Sequence, residues 1–327
     1  MLKWWSIYAC HSILIKEIFV NLQKRDYKNP NHLGAIMTLT KQNKYTFVLL
    51  LAAFIWGIGF VAQRAAMGYM GPLTFNAIRF GVGGLLMIPV ALKLEKGGFH
   101  KVTLIAGLSA GGVLFISAAL QQWGIMLTGS ASKAGFITGL YIIIVPILGI
   151  FMGKKTSKYV WVGAILATIG MFLISTTEEL GLFDIGTMIL FLCAIGWAFH
   201  ILVIDKFVDR VQPLSFSVAQ CLVCSVLSFA FMFILEDPQM QDIAAGWLPL
   251  AFAALISVGV AYTLQIIGQR HVSPSRSAIV FSTESVFGAL AEAVILGTLL
   301  SMQGYIGGAF ILAGIVVSQL RLFLKKR

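Results

Sequence analysis

From residue 45 to residue 324 the chain repeats one pattern, an apolar stretch of about twenty residues followed by a short polar or glycine-rich break. As a helix, a stretch of that length crosses a hydrocarbon core ~30 Å thick. Lipid admits only helices and closed barrels, because every backbone N–H and C=O must be satisfied internally. The ten-residue alternation of a barrel strand is absent. The pattern therefore predicts an all-α membrane protein with ten transmembrane helices, over 46–66, 73–92, 103–125, 134–152, 159–176, 186–205, 214–235, 247–267, 277–297 and 303–323. The breaks carry turn chemistry, as at Gly71-Pro72, Gly97-Gly98 and Gln212-Pro213.

The charges of the breaks alternate. One side holds Lys93, Lys96, Lys101, Lys154, Lys155, Lys158, Lys206, Arg210, Arg270, Arg276 and the terminal Arg321, Lys325, Lys326 and Arg327. The other holds Arg64 and Lys133 with Glu178, Glu179, Asp184, Glu236, Asp237 and Asp242. By the positive-inside rule both termini are expected in the cytoplasm, and the chain in the cytoplasmic membrane as a multi-pass protein. The 24 Lys and Arg against 13 Asp and Glu, a net +11, then need no nucleic acid to explain them. With 58% hydrophobic and 11% charged residues, a water-soluble enzyme is excluded. Cys10, Cys193, Cys221 and Cys224 are too scattered for a disulfide framework, and Cys221-x-x-Cys224 inside an apolar helix reads as packing. Residues 1–36 fit poorly: Trp4 to Val20 is interrupted by His11, Lys16 and Glu17, and the segment is expected to be a tail or a misassigned start before Met37.

An internal repeat carries the most information. A shift of 141 matches Leu51, Ala53 and Trp56 with Leu192, Ala194 and Trp197, and Pro72-Leu73 and Phe75 with Pro213-Leu214 and Phe216. A shift of 144 matches Leu120-Gln121 and Gly124 with Leu264-Gln265 and Gly268, and continues through Gly163/Gly307 and Gly170/Gly314. Two five-helix repeats follow, at 37–176 and 177–327, and an odd helix count makes the second copy inverted. That architecture belongs to alternating-access carriers, with a site near the midplane between the halves.

Ionisable groups inside spans are functional candidates by default. Glu284 lies eight residues past Arg276, ~12 Å deep, and is the candidate proton site. A carboxyl that only ties helices together is the competing reading. Glu292, two turns further out, is expected to pair with a basic residue of the outer half. Arg79 either snorkels to the outer headgroups, pairs with Glu292 or attracts an anionic substrate group, and Arg64 reads as an interfacial anchor. His200 is either a proton relay or a hydrogen-bonded packing histidine. The repeat mates Gln121 and Gln265 and the mates Trp56 and Trp197 are pathway candidates with helix-to-helix contact as their alternative, and Tyr141, offering a hydroxyl and an aromatic face to a substrate, completes the pathway. Gly135 with Gly139, and Gly107 with Gly111, form GxxxG pairs that signal close helix contact.

Two strings match enzyme motifs, Gly107 to Gly111 as G-x-S-x-G and Ser130 to Lys133 as S-x-x-K. The first lies within a helix rather than at a strand-to-helix elbow, and the second lacks its companions. An intramembrane serine hydrolase placing Ser109 near His200 is the different-class alternative to a carrier. No HExxH or Walker loop occurs, so neither a metal site nor another cofactor is expected. The expected partners are a small-molecule substrate and the lipid bilayer, with a second copy of the chain as an option and no nucleic acid.

Across residues 45 to 323 the chain resembles the EamA family of the drug/metabolite transporter superfamily. The stretches that carry the resemblance are Ala53 to Gly57 with Phe60-Val61, Pro72 through Phe80, Gly135 through Pro146, and Ile279 to Gly297 ending in Gly304 to Gly314. It implies a ten-helix bundle whose helices one, three, four, six, eight and nine surround a pathway for metabolites, amino acids or drugs, often outward. By position, Arg79 matches the family's arginine in helix two. Glu284 matches the acid of its Glu-Pro-Val pattern, with Ser285 in place of proline. The family's Gly-Glu ends of helices four and nine are Gly153-Lys154 and Gly297-Thr298 here, so no role carries over to those acids. The expectation is a secondary transporter of a small metabolite, an amino-acid-like compound or drug. It would be an exporter working by alternating access, with proton coupling through Glu284; an uncoupled facilitator or exchanger is the alternative.

Overall fold

The computed structural model describes residues 34–175, 184–296 and 301–324. The chain divides into two compact units, 1–41 and 42–327, and apart from residues 34–41 at the start of the first helix the structure discussed below lies in the second. The expectation for Trp4 to Val20 falls outside the described residues, as do Glu178, Glu179, Gly297, Thr298 and residues 325–327.

All described elements are helical. They are α1 (Gly34–Ala66), α2 (Pro72–Leu94), α3 (Lys101–Thr128), α4 (Ala131–Gly139), α5 (Tyr141–Phe151), α6 (Lys158–Ser175), α7 (Ile185–Phe207) and α8 (Pro213–Leu235). Then follow α9 (Met240–Ala245), α10 (Trp247–Phe252), a π-helical stretch Ala253–Ala261, α11 (Tyr262–Gln269), α12 (Pro274–Phe281), α13 (Thr283–Leu296) and α14 (Met302–Leu324). Among the described residues nine helices are long and apolar enough to cross a membrane, and Lys158–Leu173 adds a shorter apolar helix. Leu85, Leu108, Phe151, Val226, Phe233 and Val294 point outward, as a hydrocarbon surrounding requires. This is a multi-pass helical membrane protein.

Two of the spans are broken. The fourth runs as α4 and α5 with a turn at Leu140, and the ninth as α12 and α13 with a turn at Ser282. In the fourth, Pro146 removes one backbone donor within α5 and crowds the preceding turn. In the ninth, the hydroxyls of Ser282, Thr283 and Ser285 donate to the carbonyls of Ile279, Val280 and Ser282, competing with the helical ladder. The eighth span widens to π geometry just before Tyr262.

Fastenings between helices fix these pieces. Glu95, at the end of α2, accepts from Leu214 N and Ser215 N at the start of α8, at 2.9 and 2.8 Å. Glu236, at the end of α8, accepts from Leu73 N and Thr74 N at the start of α2, at 2.7 and 2.8 Å. The two helices are thus antiparallel, each capping the other's orphan N–H groups. Helices α6 and α14 cross just as reciprocally: a Cβ on Gly163 would lie 2.6 Å from Gly314 O, and one on Gly170 2.4 Å from Gly307 O. Alongside α7, Lys133 at the start of the fourth span pairs with Asp184, and Lys154 just past its end pairs with Asp205. The Cys221 and Cys224 thiols are free and buried in a core with Phe80, Leu114 and Tyr262, as packing residues.

Candidate functional site

The broken helices meet at their breaks. Tyr141 opens α5 and Glu284 lies in the first turn of α13, and the Tyr141 hydroxyl donates to Glu284 Oε1 at 2.9 Å. Both side chains are buried, yet both line a central cavity of about 490 Å³, its open mouth included.

The wall is assembled by helical spacing. Trp56, Phe60 and Gln63 recur at i, i+4 and i+7 on α1, Trp197 and Ile201 at i and i+4 on α7, and Thr138 precedes Tyr141 by three. Gln121 of α3 and Gln265 of α11 face the same space, with Ser257 of the π-helical stretch, Tyr262 and Phe281. Tyr262 is the hub of the aromatic wall, 5.2 Å from Trp56, 5.6 Å from Phe80 and 6.5 Å from Trp197 between ring centroids. The buried Gln265 Oε1 has no hydrogen-bond partner among the described residues.

Arg79 of α2 also lines the cavity and is 3% exposed. Its Nε donates to Asn76 Oδ1 at 3.0 Å, and its guanidinium carbon lies 4.8 Å from the Phe75 ring centroid and 4.7 Å from that of Phe80. Among the described residues no carboxylate pairs with it. The cavity therefore presents a carboxyl on one wall and a guanidinium on another, between aromatic faces and amides.

A second crevice reaches the same carboxyl from outside the cavity. It runs between Phe60, Ala131, Gly135, Glu284, Gly288 and Glu292.

The EamA-like transporter family profile matches the sequence twice, over 43–176 and over 184–320. The chain belongs to the EamA-like transporter family. An EamA relative from Archaeoglobus fulgidus, described as an uncharacterized transporter, is 28% identical over 274 residues, 84% of this chain and 85% of its own. The uncharacterized transporter YwfM of Bacillus subtilis is 23% identical over 289 residues, 85% of this chain and 94% of its own. A solved crystal structure shares the fold, with a TM-score of 0.73 at 19% identity, covering 87% of this chain and 99% of the other.

In this EamA chain several expectations change. Arg79 does not snorkel, because α2 packs against α8 and the π-helical stretch and turns it inward. Nor does it pair with Glu292, whose Oε1 is bonded by Arg64 Nη1 at 2.9 Å; Arg64, expected as an anchor, is thus an ion-pair partner. His200 lies off the cavity wall, fully buried, with Nε2 3.0 Å from Gln220 Oε1. Gly135 is not a packing glycine, since a Cβ there would meet nothing within 4 Å. Ser109 is exposed and donates to Ile105 O, so it and His200 have separate partners. Lys133 Nζ is held by Asp184.

Gln63, Thr138, Ser257, Tyr262 and Phe281 were not among the sequence candidates. The Trp56, Phe60, Gln63 register would have pointed to Gln63; Ser257 and Tyr262 depend on the π-helical widening, which apolar periodicity does not encode.

Proposed function

We propose that this EamA protein is a secondary carrier of a small zwitterionic, amino-acid-like metabolite, working by alternating access across the cytoplasmic membrane with both termini inside. The observation that carries the reading is the presence, in one aromatic-walled cavity, of the Glu284 carboxyl and an Arg79 guanidinium that no carboxylate among the described residues pairs with. A buried charge costs several kcal/mol unless something answers it. A substrate carboxylate at Arg79 and a substrate ammonium at Glu284 answer both, with Trp56 and Trp197 packing its apolar part. Glu284 then exchanges its proton for the substrate's cationic group, which couples the two fluxes. The outward direction rests on the family resemblance alone. Support for an inverted five-plus-five repeat comes from the reciprocal caps of Glu95 and Glu236 and the reciprocal Gly163–Gly314 and Gly170–Gly307 contacts.

The test is untargeted metabolite profiling of medium and cytosol from cells expressing the wild type, Glu284→Gln or Arg79→Gln at matched levels. The expected outcome is a metabolite bearing both amino and carboxyl groups that the wild type exports. Arg79→Gln should lose about 10- to 100-fold in transport efficiency, the worth of a charge-assisted bond of about 1.5–3 kcal/mol. Equal export by Glu284→Gln, with unchanged pH dependence, would leave an uncoupled facilitator and remove the proton role.

A further inference from the structure

The link between α5 and α6 carries Lys154, Lys155, Thr156 and Ser157, and the start of α12 carries Ser273, Pro274, Ser275 and Arg276. These two tetrads face one another across a cleft of about 630 Å³ that Val160 of α6 and Ser318 of α14 complete. Among the described residues the lining holds three cationic side chains and five hydroxyls and no carboxylate. Asp205 reaches Lys154 Nζ from α7. Lys155 is exposed, and Arg276 is half-buried with its Nε on Ser273 Oγ at 3.1 Å. Both α6 and α12 begin at this cleft, so the positive ends of two helix dipoles add to its field.

We propose that this cleft binds a phosphate group, held between Lys155 and Arg276 and bonded by the surrounding hydroxyls. The same chemistry is offered by an anionic phospholipid headgroup and by a soluble phosphoanion. Phe151 and Met152, beside Lys154, are 82% and 49% exposed and place apolar surface at the edge where acyl chains would lie. A bound phosphate fastens the end of the broken fourth span to the start of the broken ninth, the two that carry Tyr141 and Glu284. The site is separate from the central cavity, and its test does not depend on what that cavity carries.

Thermal unfolding of the full-length protein in neutral detergent provides the test. Palmitoyl-oleoyl phosphatidylglycerol, the phosphatidylcholine with the same chains, and inorganic phosphate are titrated in parallel at constant ionic strength. The expected result is a saturable rise of several degrees in the unfolding midpoint with phosphatidylglycerol, absent with phosphatidylcholine. That rise should fall by half or more in Lys155→Gln/Arg276→Gln and persist in Lys93→Gln/Lys101→Gln, which removes equal charge elsewhere on the basic side. A saturable rise with inorganic phosphate that is lost in the same cleft variant would identify the soluble source. Should the double variant not fold, Lys155→Gln alone, an exposed change, gives the same comparison. No saturable rise with either ligand, or equal loss in the cleft and control variants, overturns the proposal.

Discussion

A guanidinium placed in a bilayer must find acceptors or aromatic faces, and Arg79 finds Asn76 Oδ1 and the rings of Phe75 and Phe80 within its own helix. Depth counted along the sequence places Arg79 near headgroups, but the rotation of α2 about its axis, set by packing, turns it into the cavity. The Arg64–Glu292 pair was open to reading from charge and depth, since the apolar pattern counts both toward the same ends of their spans; which of two arginines meets the acid is a matter of helix neighbours. Outside the spans two acids move in opposite directions. The bond from Lys133, then that from Thr187 N, lowers the Asp184 carboxyl to about 2. Its contribution to stability is therefore present above its ordinary value of 3.8 and is lost as pH falls through about 2. Unfolding temperatures measured from pH 5 to pH 2 should fall more steeply for the wild type than for Asp184→Asn. Burial raises the Glu95 carboxyl despite its bonds from Leu214 N, Ser215 N and Ser215 Oγ. With the folded value raised, the contribution is present at low pH and is lost as pH rises through that value. Glu95→Gln should flatten the profile when it is extended upward from pH 5, and an unchanged slope there would show that the group's ionisation does not couple to folding.

At the scale of elements, the apolar pattern located the nine helices long enough to cross a membrane and the shorter apolar helix Lys158–Leu173, because length and hydropathy are local properties. It missed the break at Leu140 because Gly139-Leu140-Tyr141 is itself apolar, while the break at Ser282 had a visible signal in the Ser282-Thr283 hydroxyl pair. The shift of 144 likewise pairs Gly163 with Gly307 and Gly170 with Gly314 as equivalents, yet the contacts are Gly163 with Gly314 and Gly170 with Gly307. Equivalence along the chain becomes contact in space only once two antiparallel helices cross. These glycines set the crossing distance, so Gly170→Ala pushes its Cβ to 2.4 Å from the Gly307 carbonyl oxygen and forces α6 from α14. A cost of about 1–3 kcal/mol follows from overpacking. Gly135→Ala should instead gain about 0.5–1 kcal/mol, because the site is helical and open and glycine is the poorer helix former. Denaturant unfolding of both variants in one detergent tests the pair, and a Gly170→Ala protein as stable as wild type would show that α14 can withdraw without loss.

For the whole molecule, these fastenings constrain what can move. The halves of the sequence repeat are interlocked rather than merely apposed: Glu236 of α8 caps the start of α2, Glu95 of α2 caps the start of α8, and α6 is seated on α14 of the second. Rocking one repeat against the other as a rigid body would break all of these contacts at once. Among the described residues the broken spans are held by side-chain ion pairs, Lys133–Asp184, Lys154–Asp205 and Arg64–Glu292, rather than by carboxylate caps, and the Tyr141–Glu284 bond joins them at the point where each has already lost helical continuity. Alternating access should therefore be a movement of α4–α5 and α12–α13 against a static α2–α8 pair. A short bifunctional thiol reagent can test this in a background with Cys10 replaced by serine, since Cys193, Cys221 and Cys224 are buried. Bridging Gly71→Cys to Glu236→Cys, where a Cβ at position 71 would lie 2.4 Å from the Glu236 carboxyl, should leave export within about two-fold of the unbridged protein. Bridging Arg64→Cys to Glu292→Cys, which pins α1 to α13 at the ion pair of 2.9 Å, should stop it. If the first bridge stops export and the second does not, α2 and α8 are the moving parts and the broken spans are the frame.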